Sequence, residues 1–232
     1  MARKANPRPS PSASAICLLA LLPCLASAAD APRQNAGPYL VTLRLPPEGL
    51  YAHFSRIAEA TPLPIVLYNV PGRTGCNIDA ATCAKLATIP HVIGVKEASG
   101  NITQMVEICR AVPADFLVLS GDDALTLSLM AIGGRGLISV ASNAIPAEIS
   151  QMIEAAERGD FAAARKMHHR LVPLMLGNFI ESNPGPVKFA MAAMGLCEEI
   201  YRLPMVSPRP ASQEKIRALL KELDVLKGVH SA

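Results

Sequence analysis

The chain lacks any concentrated block of charge. Its 22 Lys and Arg against 19 Asp and Glu leave a formal net charge of +3 over 232 residues, and the basic residues are scattered. A nucleic-acid binder gathers such charge into a stripe, so that class is disfavoured. Disorder is excluded as well. Half the residues are hydrophobic and 18% are charged, whereas a disordered chain is poorer in apolar residues and carries more net charge. No segment reaches the roughly 18 consecutive apolar residues that a membrane span needs. Six cysteines are too few in so long a chain for a disulfide-dense scaffold; no two form a C-x-x-C, and no histidine is placed to complete a zinc pattern. What is present is enough apolar sequence for one large domain or two small ones.

The first thirty residues have an organisation of their own. Arg3, Lys4 and Arg8 precede the apolar stretch Ala15-Ile-Cys-Leu-Leu-Ala-Leu-Leu-Pro-Cys-Leu25, and Ala26-Ser27-Ala28 follows. That order matches a secretory signal with an A-x-A cleavage site. The cysteines point the other way. Cys83 and Cys109 fall in apolar helical patterns, where a thiol acts as a small buried hydrophobe and suits a reducing compartment.

From residue 48 the pattern is regular. Leu50 to Ala60 reads as an amphipathic helix with Leu50, Phe54, Ile57 and Ala58 on one face. A strand-length run Pro64-Ile-Val-Leu-Tyr68, a turn at Pro71-Gly72 and a helix from Asp79 to Ala87 follow, Asp79 being the expected N-cap. The cycle repeats with strand Val92–Val95 and helix Ile102–Ala111, then with strand Phe116–Leu119 and helix Asp123–Ile132. A fourth strand is expected at Gly136-Leu-Ile-Ser-Val140, before a helix over Ala147–Arg158. Helices are expected at Phe161–Leu176, Pro186–Met194 and Ser212–Leu226, the last behind a rigid connector, Arg202 to Pro210.

Nearly continuous Val/Ile/Leu strands between helices indicate a parallel sheet buried on both faces. Without a Gly-rich dinucleotide fingerprint, four successive units favour a (β/α) barrel over a doubly wound sheet. A whole barrel takes roughly 250 residues, so the fold class expected is α/β, a partial TIM barrel followed by C-terminal helices. The expected divisions are a signal-like or out-of-frame segment 1–29, an irregular linker 30–47, a half barrel 48–158 and a helical region 159–227.

In such a barrel the chemistry sits at the C-terminal strand ends. Those ends carry Tyr68, Lys96, Ser120-Gly121 and Ile138-Ser139. Lys96 closes an apolar strand, where desolvation favours the free amine that attacks a ketone to give a Schiff base. Tyr68, one unit earlier, is placed to relay a proton. Each alone has a plain structural reading, the lysine as a solvated cap and the tyrosine as a core-edge residue; their pairing on adjacent strands is the signal. Asp122-Asp123 reads as capping rather than metal binding. Gly133-Gly-Arg-Gly136 precedes a strand and reads as a helix C-cap and turn rather than a phosphate loop. His168 and His169, adjacent on a helix, read as surface residues.

Tyr68-Asn-Val-Pro-Gly-Arg-Thr-Gly75, Gly94-Val-Lys-Glu-Ala-Ser-Gly100, Leu119-Ser-Gly-Asp-Asp-Ala124 and Gly136-Leu-Ile-Ser-Val140 resemble successive strand ends of the dihydrodipicolinate synthases. Asn183-Pro-Gly-Pro-Val-Lys-Phe-Ala190 and Arg202-Leu-Pro-Met205 resemble that family's C-terminal helical region. The likeness runs in register over residues 48 to 226. It implies a class I pyruvate-dependent aldolase of lysine and diaminopimelate biosynthesis, joining pyruvate to L-aspartate-4-semialdehyde with loss of water. By that resemblance Lys96 forms the imine, Tyr68 is the proton donor and acceptor, and Arg73 binds the carboxylate of the aldehyde. Ile138 packs on pyruvate, and Gly121 permits close backbone approach. No cofactor or metal is implied, since the protonated imine is the electron sink. A cytoplasmic homo-oligomer, a tetramer in the family, is implied, with neither membrane nor nucleic acid as a partner.

The same superfamily holds N-acetylneuraminate lyase and 2-keto-3-deoxy sugar-acid aldolases; Arg73-Thr-Gly favours the synthase. Departures from the family accompany the likeness. The first four strands, with the paired threonines of the relay and of the pyruvate carboxylate, have no counterpart here. Nor does a tyrosine donated across the dimer, where Thr42-Leu-Arg-Leu-Pro-Pro47 stands instead. These departures lead to the expectation that residues 1 to about 47 are out of frame or misjoined, and leave a non-catalytic half-barrel remnant as the alternative function.

Overall fold

The computed structural model describes residues 17–20 and 45–226. The positive residues at 3–8 and the A-x-A tripeptide lie outside the described residues, as do residues 42–44 of the 42–47 segment.

Among the described residues four parallel strands form one sheet in chain order: β1 (Cys17–Ala20), β2 (Ile65–Asn69), β3 (Val92–Glu97) and β4 (Leu117–Ser120). β1 was not expected. It lies within the apolar stretch that reads as a signal core, and it pairs Cys17 with Ile65 through Ala20 with Tyr68. An apolar run of strand length carries no mark of which use the fold makes of it.

Helices fill the connections as a parallel sheet requires. α1 (Pro47–Ala60) buries Leu50, Phe54 and Ala58, close to the face read from the sequence. α2 (Pro71–Thr74) is a single turn where only a turn was expected, because Pro71 at its start presets helical φ. It ends at Gly75, whose φ of 68° lets the chain leave in the left-handed region. α3 (Ala80–Leu86) has Asp79 as N-cap, its carboxylate accepting from the Thr82 N–H at 2.7 Å. α4 (Ile102–Ala111) is capped in the same way by Asn101.

The fourth expected strand is the main correction. Residues 136–140 make a single bridge, Leu137 to Ser120, rather than a regular strand. The chain still tracks β4, the Ser120 N–H donating to Gly136 O and the Ile138 N–H to Ser120 O, both at 2.8 Å. At Val140 the backbone then turns helical and enters a 3₁₀ turn, Ala141–Asn143. The Asp123 carboxylate accepts the Val140 and Ala141 N–H groups, which takes those donors out of any ladder. The expected helix 123–132 is likewise divided into a 3₁₀ turn, Asp123–Leu125, and α5 (Thr126–Ala131).

Beyond lie α6 (Pro146–Glu157), α7 (Phe161–Gly177), α8 (Gly185–Ala193) and α9 (Pro210–Glu222). Two cores result. One joins a sheet face to α1, α3 and α4 through Phe54, Leu67, Cys83, Val95, Met105 and Ile108. The other is all helical and includes Ile145, Met152, Leu171, Phe189 and Ile216. Among the described residues no helix is long and apolar enough to cross a membrane.

Candidate active site

Strand register assembles the site. Tyr68 pairs with Lys96, and Lys96 with Leu119, so the three stand side by side across β2, β3 and β4. Side chains alternate along a strand. The next row, Asn69, Glu97 and Ser120, is in register on the opposite face, and all three are fully buried.

Lys96 is only 8% exposed, and its Nζ lies 4.2 Å from the centroid of the Tyr68 ring. Burial holds its pKa below the ordinary lysine value; the Asp123 carboxylate pulls it back up and the Arg73 guanidinium pushes it down. Tyr68 is half-buried, and burial raises its phenol pKa against a smaller opposing effect of Arg73. The pair therefore favours a free amine beside a protonated phenol. Those are the forms a nucleophile and a proton donor need.

Gly121 lies against the lysine stem. A Cβ built on it would stand 2.6 Å from the Ala98 Cβ, 3.0 Å from Lys96 Cε and 3.1 Å from Lys96 Cγ. Only a glycine lets the backbone pass so close. Its N–H donates to Glu97 O at 2.7 Å, tying the β4 end to the β3 end. Arg73 is exposed on α2, close enough for its charge to act on both Tyr68 and Lys96. Ile138 is half-buried and its N–H donates to Ser120 O, which places it beside the β4 end.

Two features were missed in the sequence. The first is a polar network under the site: Asn69 Nδ2 donates to Glu97 Oε2 at 2.7 Å, the Ser99 N–H to Oε1 at 2.7 Å, and Gln104 Nε2 to Oε2 at 3.4 Å. A glutamate closing a buried apolar strand was its signal, since buried charges must find partners. The second is Asp123, read only as a cap. Asp122 does the capping, accepting from the Ala124 N–H, while Asp123 is buried and reaches across to residues 139–141. No group of His, Cys, Asp and Glu suited to a metal occurs among the described residues. His168 is half-buried and its Nε2 lies 2.8 Å from Ala124 O, so it belongs to the packing of α7 on the turn before α5 rather than to the open surface.

Fold and site together define an α/β protein with a desolvated lysine and a tyrosine at the C-terminal edge of a parallel sheet. The dihydrodipicolinate synthetase family model matches residues 35–223, and the chain belongs to that family. A 4-hydroxy-tetrahydrodipicolinate synthase of Koribacter versatilis is 57% identical over 181 residues, covering 78% of this chain and 60% of that protein. One from Chlorobium chlorochromatii is 52% identical over 180 residues, covering 77% and 60%. The crystal structure of dihydrodipicolinate synthase from Aquifex aeolicus matches with a TM-score of 0.77 at 40% identity, over 80% of this chain and 64% of that one. The Thermotoga maritima enzyme gives 0.77 at 40% identity, over 79% and 63%. The chain thus spans about 60% of the length of these curated relatives.

Proposed function

We propose that this chain carries the pyruvate-activating part of a 4-hydroxy-tetrahydrodipicolinate synthase, its sheet being one arc of a (β/α) barrel that Leu137 continues. The observation that supports this most is the buried Lys96 amine over the Tyr68 ring at the end of β3.

The Lys96 lone pair attacks C2 of pyruvate, and the carbonyl electron pair moves to oxygen, which takes a proton. Tyr68 is the donor within reach, its phenol kept protonated by burial. Loss of that oxygen as water leaves a protonated imine. Its nitrogen accepts the electron pair released when a proton leaves C3, giving an enamine without any metal. The C3 carbon then attacks the aldehyde of L-aspartate-4-semialdehyde, whose carboxylate Arg73 holds with a planar fork of donors. Release of the lysine and ring closure complete a condensation with net loss of one water. Ile138 packs against the pyruvate methyl side, and Gly121 leaves room for the bound three-carbon acid. The exposed Ile200, Leu203 and Val206 suit contact with a second copy in a homo-oligomer.

The test is incubation with pyruvate and borohydride, followed by intact mass and peptide mapping. A reduced pyruvate adduct on Lys96 is expected. An unmodified Lys96 in folded protein overturns the proposal in favour of a non-catalytic family member, and a preference for another aldehyde would assign a related pyruvate aldolase.

A further inference from the structure

Asp123 is a second buried charge at the site, and it has no structural duty at its own position in the chain. It is 1% exposed, and Asp122 already supplies the cap. Its carboxylate instead accepts the Val140 N–H at 3.0 Å and the Ala141 N–H at 3.1 Å on Oδ2, and the Ser139 hydroxyl on Oδ1. The Ser142 N–H donates to that same hydroxyl at 2.8 Å. These four residues directly follow Ile138, so one side chain from the β4 end fixes the whole segment that would wall a ligand on Lys96. Gly121, two residues before Asp123, runs against the Lys96 stem. The Asp123 carboxylate lies close enough for its charge to act on Lys96.

We propose that Asp123 is a positioning residue: its carboxylate locks residues 138–142 against the β4 end and serves as the buried counter-charge of Lys96. The inference rests on the proposed role of Lys96 and extends it to the next turn of chain. Among the described residues the groups acting on Lys96 are Tyr68 from β2, Arg73 from α2 and Asp123 from the turn after β4; Glu97 lies on the other face of the strand. Among the three only Asp123 is a carboxylate, and it is the group that favours the charged lysine. A carboxylate there supports each cationic species on the Lys96 nitrogen, the protonated imine above all, without competing for the incoming ketone. Its hydrogen-bonding capacity is already committed to residues 139–141.

Two readouts test this, one independent of pyruvate. The pH dependence of Lys96 acylation by acetic anhydride, followed on the Lys96 peptide by mass spectrometry, reports the amine directly. The pyruvate concentration for half-maximal borohydride trapping reports the wall. Asp123→Asn, which keeps an acceptor oxygen but removes the charge, is expected to move the acylation curve to lower pH. Each unit moved makes the amine about tenfold more reactive well below the midpoint. Ser139→Ala is expected to leave that curve in place and raise the half-saturating pyruvate several-fold. An unmoved or upward-shifted curve in folded Asp123→Asn overturns the counter-charge, and unchanged half-saturation in Ser139→Ala overturns the lock. Should Asp123→Asn not fold, Asp123→Ser, smaller and equally uncharged, decides: a curve moved to lower pH supports the counter-charge and an unmoved one overturns it. A shifted acylation curve in protein that never traps pyruvate would sink the proposed function while leaving the Asp123 coupling standing.

Discussion

Asn69 Nδ2 and Glu97 Oε2 lie 2.7 Å apart across β2 and β3, each one residue beyond a member of the Tyr68–Lys96 pair. The two residues that face the site are thus held in register by the two behind them. The contact is wholly buried, and Glu97 has amide and backbone donors rather than a cation as its partners.

Truncating that carboxylate strands several donors at once. Glu97→Ala is expected to destabilise the chain by about 2–4 kcal/mol, since each buried polar group left unpaired costs about 1–3 kcal/mol. Glu97→Gln, which keeps an acceptor but places an amide against Asn69 or the Ser99 N–H, should cost less. Urea denaturation followed by circular dichroism measures both; equal and negligible losses would show that the network carries no stability.

Lys96 opposes folding while it is charged. Its pKa is lowered from 10.5 in the fold by burial, so between the two values the unfolded chain binds more protons and stability rises with pH. Below that window the penalty is fully present. Lys96→Met is therefore expected to melt higher than the parent at pH 7, with the gap narrowing toward pH 10.5. A lower melting temperature at pH 7 would contradict a net desolvation penalty.

Gly121→Ala tests the close approach. The new Cβ would sit 2.6 Å from the Ala98 Cβ and 3.0 Å from Lys96 Cε, so backbone or lysine must move. A loss of about 1–3 kcal/mol is expected, as for other overpacked sites, together with at least a tenfold slower rate of pyruvate trapping. Trapping at the parental rate would mean that the turn shifts without disturbing the lysine.

Arg73→Ala should act in two ways. Removing a cation that pushes the Lys96 pKa down moves the acid limb of imine formation to higher pH, opposite to Asp123→Asn. Use of the aldehyde should weaken more than pyruvate trapping, because Arg73 lies on the exposed α2 turn, away from the pyruvate anchor proposed at Lys96. Equal losses in both would argue against a role in holding the aldehyde.

The thiols should react in order of exposure and acidity. Cys83 is fully buried with its pKa pushed up to about 12, by burial first, and burial also raises the Cys76 thiol; Cys197 is exposed. Brief alkylation with iodoacetamide is expected to modify Cys197 and leave Cys83 until the chain is denatured. Early labelling of Cys83 would reveal local opening of α3.

The amino-acid sequence by itself determined most of the secondary structure and the central pair. Continuous runs such as Ile65-Val-Leu and helix faces such as Leu50, Phe54 and Ala58 carry local periodicity, and Asp79 and Asn101 carry local capping chemistry. A lysine closing an apolar strand one unit after a tyrosine is equally local, which is why the sequence alone pairs Lys96 with Tyr68. What only the tertiary structure decided depends on partners distant in sequence. Residues 136–140 have strand composition, yet Asp123, more than a dozen positions earlier, takes the N–H groups of Val140 and Ala141 and bends them into a turn. The apolar residues 17–20 read equally well as a signal core, and it is pairing with β2 across the intervening chain that makes them a strand. In the sequence Gln104 looks like an ordinary surface polar residue, Asp123 like a cap, and Glu97 shows no partner. Burial makes them costly unless paired, and only the packed sheet brings their partners within hydrogen-bonding distance.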